Sequence, residues 1–316
     1  MAKILISGAG GFVGSHLLED LKQTDHEILA LTRRETNLID GVRYFKVDLR
    51  NTRRTEDLIK SFAPEVVYHL AANSKESTGE HSPIDMTTNG YNTFFNVLSA
   101  SIKAGSLKKF IYTSSAAVYG NIRTPYKENQ IPEPNDIYAV TKYANELSLK
   151  IMANYHKFDY VILRPHNITG ERQDPTDPTR NVVTMFMQLL RLGRAPKIFG
   201  DGSSTRCYTY VKDVTKILKD CLNVKNVTIN VGSDKPTTIK QLYDKIVEIS
   251  GIKIDPEYLP NRGQDVTINT VDHTHARRLF KQLPEMGFDE TIRKTWAYVS
   301  SQPLKDFKKV KKEIEL

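Results

Sequence analysis

Over the first half of the chain, short apolar runs alternate with helix-length amphipathic stretches, and this rhythm limits the possible folds more than any other feature. Residues 2–7 (Ala-Lys-Ile-Leu-Ile-Ser) read as a buried strand running into glycine. Residues 12–23 then place Val13, Leu17, Leu18 and Leu21 on one helical face. Further strands are expected at 27–32, 44–47, 65–70, 109–113 and 160–164. Helices are expected over 53–62 and 87–104 and, after a proline-rich loop at 121–136, over a stretch carrying Tyr138 and Lys142. Strands and helices in this order argue for an α/β fold built on a parallel, doubly wound sheet.

After Pro165 the pattern changes. A polar loop with two prolines fills 170–181, and helices are expected at 182–192, 212–222, 238–250 and 289–299 among short strands. The expected organisation is one domain over 1–165, to which 207–232 returns. Residues 166–206 and 233–316 then form a smaller mixed α/β lobe on the substrate side.

At 316 residues the chain is long enough to bury a substantial core. No run approaches the roughly 20 apolar residues that span a bilayer, so no membrane association is expected. The opening breaks into glycines too soon for a secretory segment. Cys207 and Cys221 show no metal-type spacing, which points to no metal site and a reducing, cytoplasmic compartment. The net charge is +8, yet the basic residues are spread along the chain rather than clustered with aromatics, which argues against nucleic-acid binding. The densest run, 305–312, is followed by Glu313 and Glu315 and reads as a solvated terminal helix or tail. An excess of positive charge also suits a polyanionic small substrate such as a nucleotide diphosphate.

Three groups of residues carry chemistry. Gly8, Gly11 and Gly14 lie between the first strand and the first helix. There the backbone can approach a pyrophosphate at a helix N-terminus, where free N–H groups favour anions. The spacing is two successive three-residue steps, a departure from the G-x-G-x-x-G pattern. Tyr138 and Lys142 share one helix face, so the lysine charge favours the phenolate and makes the tyrosine a usable base. The Ser-Ser pair at 114–115 can hold an alcohol or carbonyl oxygen. With a nicotinamide dinucleotide on the glycine turn, these groups form a hydride-transfer centre. The second strand ends in Thr32-Arg33-Arg34, with no acid until Glu35. A basic end pairs with a ribose 2′-phosphate, so Arg33 and Arg34 favour NADP, with NAD the alternative.

Taken in order, the chain resembles the extended short-chain dehydrogenase/reductase family, the NAD(P)-dependent sugar-nucleotide epimerases and dehydratases. The likeness runs through Gly8-x-x-Gly11-x-x-Gly14, Val47-Asp48-Leu49, His69-Leu70-Ala71-Ala72, Asn89 and Thr93. It continues through Thr113-Ser-Ser-Ala-Ala-Val-Tyr-Gly120, Tyr138-Ala-Val-Thr-Lys142, Leu163-Arg-Pro-His-Asn-Ile-Thr-Gly170, the stretch from Ile198 to Arg206, Tyr210-Val-Lys-Asp213, and Arg262-Gly-Gln-Asp265. The resemblance implies a Rossmann-type sheet with a smaller substrate-binding lobe. It implies catalytic roles for Ser115, Tyr138 and Lys142. Dinucleotide contacts are implied for Gly8, Gly11, Phe12, Val13, Gly14, Asp48, Leu49, Leu70, Ala71, Ala72, Asn89, Tyr138, Lys142 and Pro165, beside Arg33 and Arg34. Ser115, Asn167, Arg206 and Arg262 are the implied contacts to a nucleotide-diphosphate sugar.

The reaction implied is reversible hydride transfer at a sugar hydroxyl carbon, first of all 4-epimerisation. An NADPH-dependent 4-keto-sugar reductase or a sugar-nucleotide dehydrogenase is the alternative. A non-catalytic NADP-sensing or RNA-binding relative is a remote one. Ala116-Ala117 stands where the family's 4,6-dehydratases carry Asp-Glu, so dehydration is not expected. Helices near 87–104 and 138–156 are expected to form a homodimer, because Val140, Tyr143, Ala144, Leu147, Ile151 and Tyr155 make a wide apolar stripe.

Overall fold

The structure is a computed structural model that describes residues 1–36, 38–72, 81–179, 181–261, 268–280, 283 and 285–309. The first half runs β1 (Lys3–Ser7), α1 (Phe12–Leu21), β2 (Glu27–Thr32), β3 (Tyr44–Lys46), α2 (Thr52–Phe62), β4 (Val66–His69), α3 (Pro83–Thr87), α4 (Thr93–Lys103), β5 (Lys109–Thr113), α5 (Ile137–His156) and β6 (Asp159–Pro165). The second half runs β7 (Ile168–Thr169), α6 (Val182–Arg191), β8 (Lys197–Phe199), β9 (Thr205–Arg206), β10 (Thr209–Tyr210), α7 (Val211–Asp220), β11 (Val227–Val231), β12 (Thr237–Thr238), α8 (Ile239–Ser250), β13 (Glu257–Leu259), β14 (Ile268–Asn269), α9 (Thr274–Leu279) and α10 (Phe288–Ser301).

Seven strands form one sheet in the order β3-β2-β1-β4-β5-β6-β11, every neighbouring pair parallel. This is the doubly wound, Rossmann-type arrangement expected from the sequence. The chain first builds outward from β1 through β2 to β3, then crosses back to β4. Crossovers on opposite sides leave a crevice at the carboxyl ends of β1 and β4, the usual ligand position in such sheets.

The strands are apolar on both faces because both are covered. Ile4 and Ile6 pack with Leu17, Leu18 and Leu21 of α1 and with Val214, Ile217 and Leu218 of α7. Leu5, Leu29, Leu31, Phe110 and Tyr112 point the other way, against Phe94, Val97 and Leu98 of α4 and Leu149 of α5. A third cluster, Val183, Phe186, Met187 and Leu190 of α6 with Leu242, Ile246, Ile292 and Val299, lies in the carboxyl-terminal part. Among the described residues no helix is long and apolar enough to cross a membrane.

One expectation is corrected and another is narrowed. The single helix expected over 87–104 is three pieces, with a π-helical turn, Thr88–Asn92, between α3 and α4. Local polar bonds accompany the widened turn: the Asn89 amide donates to the Asp85 carboxylate at 2.7 Å, and the Thr93 hydroxyl donates to the Asn89 carbonyl at 2.7 Å. Of the helix and the tail expected at the chain end, the structure shows an exposed tail through 309, one that is fixed to the body rather than free. α10 stops at Ser301, before Pro303, a residue that biases its predecessor away from helix. Residues 302–309 then lie along the body. Arg191 and Gln188 of α6 donate to the carbonyls of Gln302 and Lys305, Arg194 grips Asp306 with two bonds of 2.7 Å, and the Lys308 amide donates to the Thr176 carbonyl at 2.8 Å.

Candidate active site

The glycine turn is shaped by close approach. Gly8 has φ +76°, and a Cβ there would lie 2.8 Å from the Ala71 amide nitrogen. A Cβ on Gly14 would lie 2.2 Å from the Gly8 carbonyl oxygen. Neither position admits a side chain, so α1 starts close over the ends of β1 and β4 with its first turn facing the crevice. Beneath it, the Ser7 hydroxyl and the His69 Nδ1 lie 2.9 Å apart, both buried. Burial first, and then the charge of Lys142, lowers the His69 pKa to about 3, so this imidazole is neutral at ordinary pH.

Opposite the turn, α5 carries Tyr138 and Lys142. Asp136 caps the helix, accepting from the Ala139 amide at 2.6 Å, which fixes the register two residues before Tyr138. Tyr138 and Lys142 are both 6% exposed. The Lys142 ammonium donates to the Thr113 carbonyl at the end of β5 at 2.7 Å and lies 5.8 Å from the Tyr138 ring centre. It also lies 5.0 Å from the ring of Tyr112, whose hydroxyl burial holds well above its ordinary range.

The two serines after β5 have different surroundings. The Ser114 hydroxyl donates inward to Glu146 at 2.5 Å. The Ser115 oxygen accepts from the Ala117 amide at 3.1 Å and caps a short 3-10 turn, Ala116–Tyr119. That bond uses an oxygen lone pair and leaves the Ser115 proton to be donated elsewhere.

Two adjoining cavities meet at the glycine turn. The larger, about 880 Å³, is lined by Gly8, Gly11, Phe12, Val13, Gly14, Leu70, Ala72, Ser115, Tyr138, Lys142, Pro165, Asn167 and Arg206. The second, about 500 Å³, is lined by Gly8, Gly11, Arg33, Arg34, Asp48, Leu49, Ala71, Ala72 and Asn89. Every residue expected to bind dinucleotide therefore borders one cavity or both. Arg262, with the segment to Asp265, lies outside the described residues.

Finer details separate these residues. Asp48 holds Arg50 through bonds of 3.0 and 2.5 Å, and that contact keeps its carboxyl below the usual range. Asn167 has φ +40°, and its amide bonds the His166 imidazole at 3.1 Å and the Cys207 carbonyl at 3.2 Å. His166 is thus bonded to Asn167 from the preceding position. Arg206 donates to the Thr205 carbonyl at 2.8 Å on β9.

Sequence reasoning missed several lining groups. Met185 and Phe186 of α6, Phe199 and Ile239 form an apolar end to the larger cavity. Asp174, Asp177, Lys308 and Lys309 close the smaller one. The repeat Asp174-Pro-Thr-Asp177-Pro-Thr was the available signal: in each copy the aspartate accepts from the threonine amide and hydroxyl two residues on.

Residues 4–232 match the model of the NAD dependent epimerase/dehydratase family. The chain belongs to that family. The UDP-glucose 4-epimerase of Mycolicibacterium smegmatis is 32% identical over 307 residues, covering 93% of this chain and 97% of that protein. The structure is similar to that of Thermotoga maritima UDP-glucose 4-epimerase with UDP-glucose, at TM-score 0.87 and 29% identity over 94% of this chain and 98% of that one. It is also similar to the Thermus thermophilus UDP-glucose 4-epimerase complex with NAD, at TM-score 0.85 and 28% identity over 95% and 99%. The family's nicotinamide dinucleotide fits the residues present: the cradle that Gly8 and Gly14 keep clear of side chains opens into both cavities.

Proposed function

We propose that this protein is an NAD(P)-dependent UDP-sugar 4-epimerase. The carrying observation is that Tyr138, Lys142 and Ser115 border one cavity that runs from the glycine turn to Arg206 and Phe199. That length suits a sugar facing the reactive pair and a nucleotide diphosphate held beyond it. The full-length likeness to UDP-glucose 4-epimerases supports the same reading.

A dinucleotide held on the glycine turn would supply a reversible hydride acceptor for the sugar carbon. The protein's own groups move the proton and hold the charge. Tyr138 takes the proton from the 4-hydroxyl as hydride leaves and gives it back on return. Lys142, anchored on the Thr113 carbonyl, sets a positive charge beside that phenol while it acts as base. Ser115 donates to the reacting oxygen and stabilises charge developing on it. Arg206 holds the diphosphate through charge-assisted bonds, and Asn167 orients the sugar. Ala116 and Ala117 carry no group that could eliminate water.

In this reading residues 1–165 with 207–232 form the dinucleotide half, and 166–206 with 233–316 the substrate lobe. Arg33 and Arg34 at the cavity rim favour NADP over NAD. The protein is a homodimer, since α5 leaves Val140, Leu147, Ile151 and Tyr155 between 45% and 77% exposed. Its compartment is the cytoplasm, which suits the free, buried thiols of Cys207 and Cys221.

The test is to incubate the purified protein with UDP-glucose and follow UDP-galactose by chromatography together with absorbance of the reduced dinucleotide. Epimerisation yields product with no net change in cofactor redox state. Stoichiometric cofactor consumption would instead indicate a reductase or dehydrogenase. Tyr138→Phe should lower turnover by about two to four orders of magnitude with dinucleotide still bound.

A further inference from the structure

The sequence leaves 305–309 as surplus positive charge, yet the fold lays it across the far end of the dinucleotide groove. We propose that residues 302–309 form a strap that completes the adenosine end of the dinucleotide site, with Lys308 and Lys309 as cofactor-binding residues for its phosphate groups. The inference rests on the dinucleotide reading above and adds to it the cations that hold the cofactor in place.

Position is the first argument. The smaller cavity has the glycine turn and the Arg33–Arg34 pair among its lining residues, and Lys308 and Lys309 border the same space. Cations from the end of β2 and from the carboxyl-terminal segment therefore face one volume. An adenosine with phosphates on both sides of its ribose carries the charge to occupy it.

Order is the second. The strap is tied to α6 by the bonds from Gln188 and Arg191, to the turn after α6 by Arg194, and to the 174–179 loop by the Lys308 amide. Its lysines need not be gathered from a free tail, so little conformational entropy is lost when a ligand binds. The same α6 lines the nucleotide-sugar cavity through Val182 and Met185. The strap on the smaller cavity is thus anchored to a helix that lines the larger one.

Charge is the third. Asp174 and Asp177 border the smaller cavity and would repel phosphates. Each is engaged by its own threonine, and Lys308 pairs directly with Asp174. Burial raises the Asp174 pKa, and the bonds from Lys308 and Thr176 more than offset that, so the carboxyl stays ionised and needs the lysine beside it. The strap neutralises the loop and adds Lys309. An epimerase must keep its reduced cofactor until the hydride returns, and a strap over the adenosine end slows its escape.

The test measures dinucleotide dissociation constants of the full chain for NADP, NADPH and NAD at low and high salt. Lys308→Gln/Lys309→Gln should weaken binding by about tenfold at low salt and by less at high salt. A loss larger for NADP than for NAD assigns the lysines to the 2′-phosphate; equal losses assign them to the pyrophosphate. Lys305→Gln, which neutralises a strap lysine outside the cavity lining, should leave affinity at the wild-type value. The triple variant adding Asp174→Asn separates direct binding from unmasking of that carboxylate, and a return to wild-type affinity there would overturn the proposal. Unchanged affinity in the double variant, while Arg33→Ala/Arg34→Ala still weakens binding, would overturn it and leave the functional reading intact. A wild-type protein that binds no dinucleotide would remove both.

Discussion

Glu146 and Arg164 form a buried, two-pronged ion pair behind the strand that carries the serines, with bonds of 3.0 and 2.6 Å and side chains 0% and 3% exposed. Glu146 lies one helical turn after Lys142, and Arg164 is the penultimate residue of β6. The pair therefore locks the catalytic face of α5 to the sheet. Ser114 gives Glu146 a second partner, and the Arg164 guanidinium lies 4.7 Å over the Tyr119 ring. A buried pair is poor evidence of net stabilisation, but removing one member strands the other. Glu146→Leu and Arg164→Met should each cost about 3–5 kcal/mol of unfolding free energy, whereas Glu146→Leu/Arg164→Met should cost less than either alone. Chemical denaturation of the three variants checks this. A double variant less stable than either single would show that the pair is worth more than the charges it hides.

The neighbouring serines should separate stability from turnover. Ser115→Ala removes the hydroxyl that borders the cavity and should lower kcat by about 10²–10³. It also removes a cap, costing about 1 kcal/mol. Ser114→Ala leaves Glu146 one donor short in the core and should cost about 1–3 kcal/mol with kcat near normal. Steady-state kinetics beside thermal melts distinguish the two; a Ser114 variant that loses turnover without losing stability would reverse the assignment.

How much of this was legible follows from what each signal depends on. The strand–helix order survives in sequence because each strand is buried on both faces and each helix on one, so β1, β2, β4, β5 and β6 announce themselves as apolar runs. The motif residues were legible because their types or spacing are restricted: only glycine fits at positions 8 and 14, and four residues of separation put Tyr138 and Lys142 on one helix face. The π turn at 88–92 was not legible, since its hydrogen-bond slip depends on local side-chain bonds such as Asn89 to Asp85. Nor was the strap. Lys308 and Lys309 look like solvated charge until α6 and the 174–179 loop, more than a hundred residues away in sequence, give them an anchor.

The exposed stripe on α5 predicts an interface. Ile151 is 67% and Tyr155 77% exposed on a helix whose opposite face packs on the sheet through Leu149 and Ala153. A monomer gains nothing from leaving such side chains in water, whereas a second copy would bury them. Ile151→Glu/Tyr155→Glu should shift sedimentation or light scattering from dimer to monomer while leaving the fold intact by circular dichroism. A wild-type protein that is monomeric at high concentration would refute the interface.

His69 gives the pH prediction. Its folded pKa of about 3 lies below the ordinary histidine value near 6.5, because the ring is buried and faces the Lys142 charge. Above pH 6.5 both folded and unfolded chains hold it neutral, and the site contributes its full stability. As pH falls from about 6.5 toward 3, the unfolded chain takes up a proton that the folded one refuses, so stability is lost across that window. At about pH 5 the loss from this residue is roughly 2 kcal/mol. His69→Asn keeps a polar partner for Ser7 without a titrating ring. Its stability difference between about pH 7.5 and 5, from denaturant unfolding, should be smaller than the wild type's by about that amount. Dinucleotide affinity of the folded protein should not respond to this residue across the same window, because the folded ring stays neutral until pH approaches 3. An equal pH slope in both proteins would mean that His69 titrates alike in the folded and unfolded chains, and would overturn the buried, neutral ring.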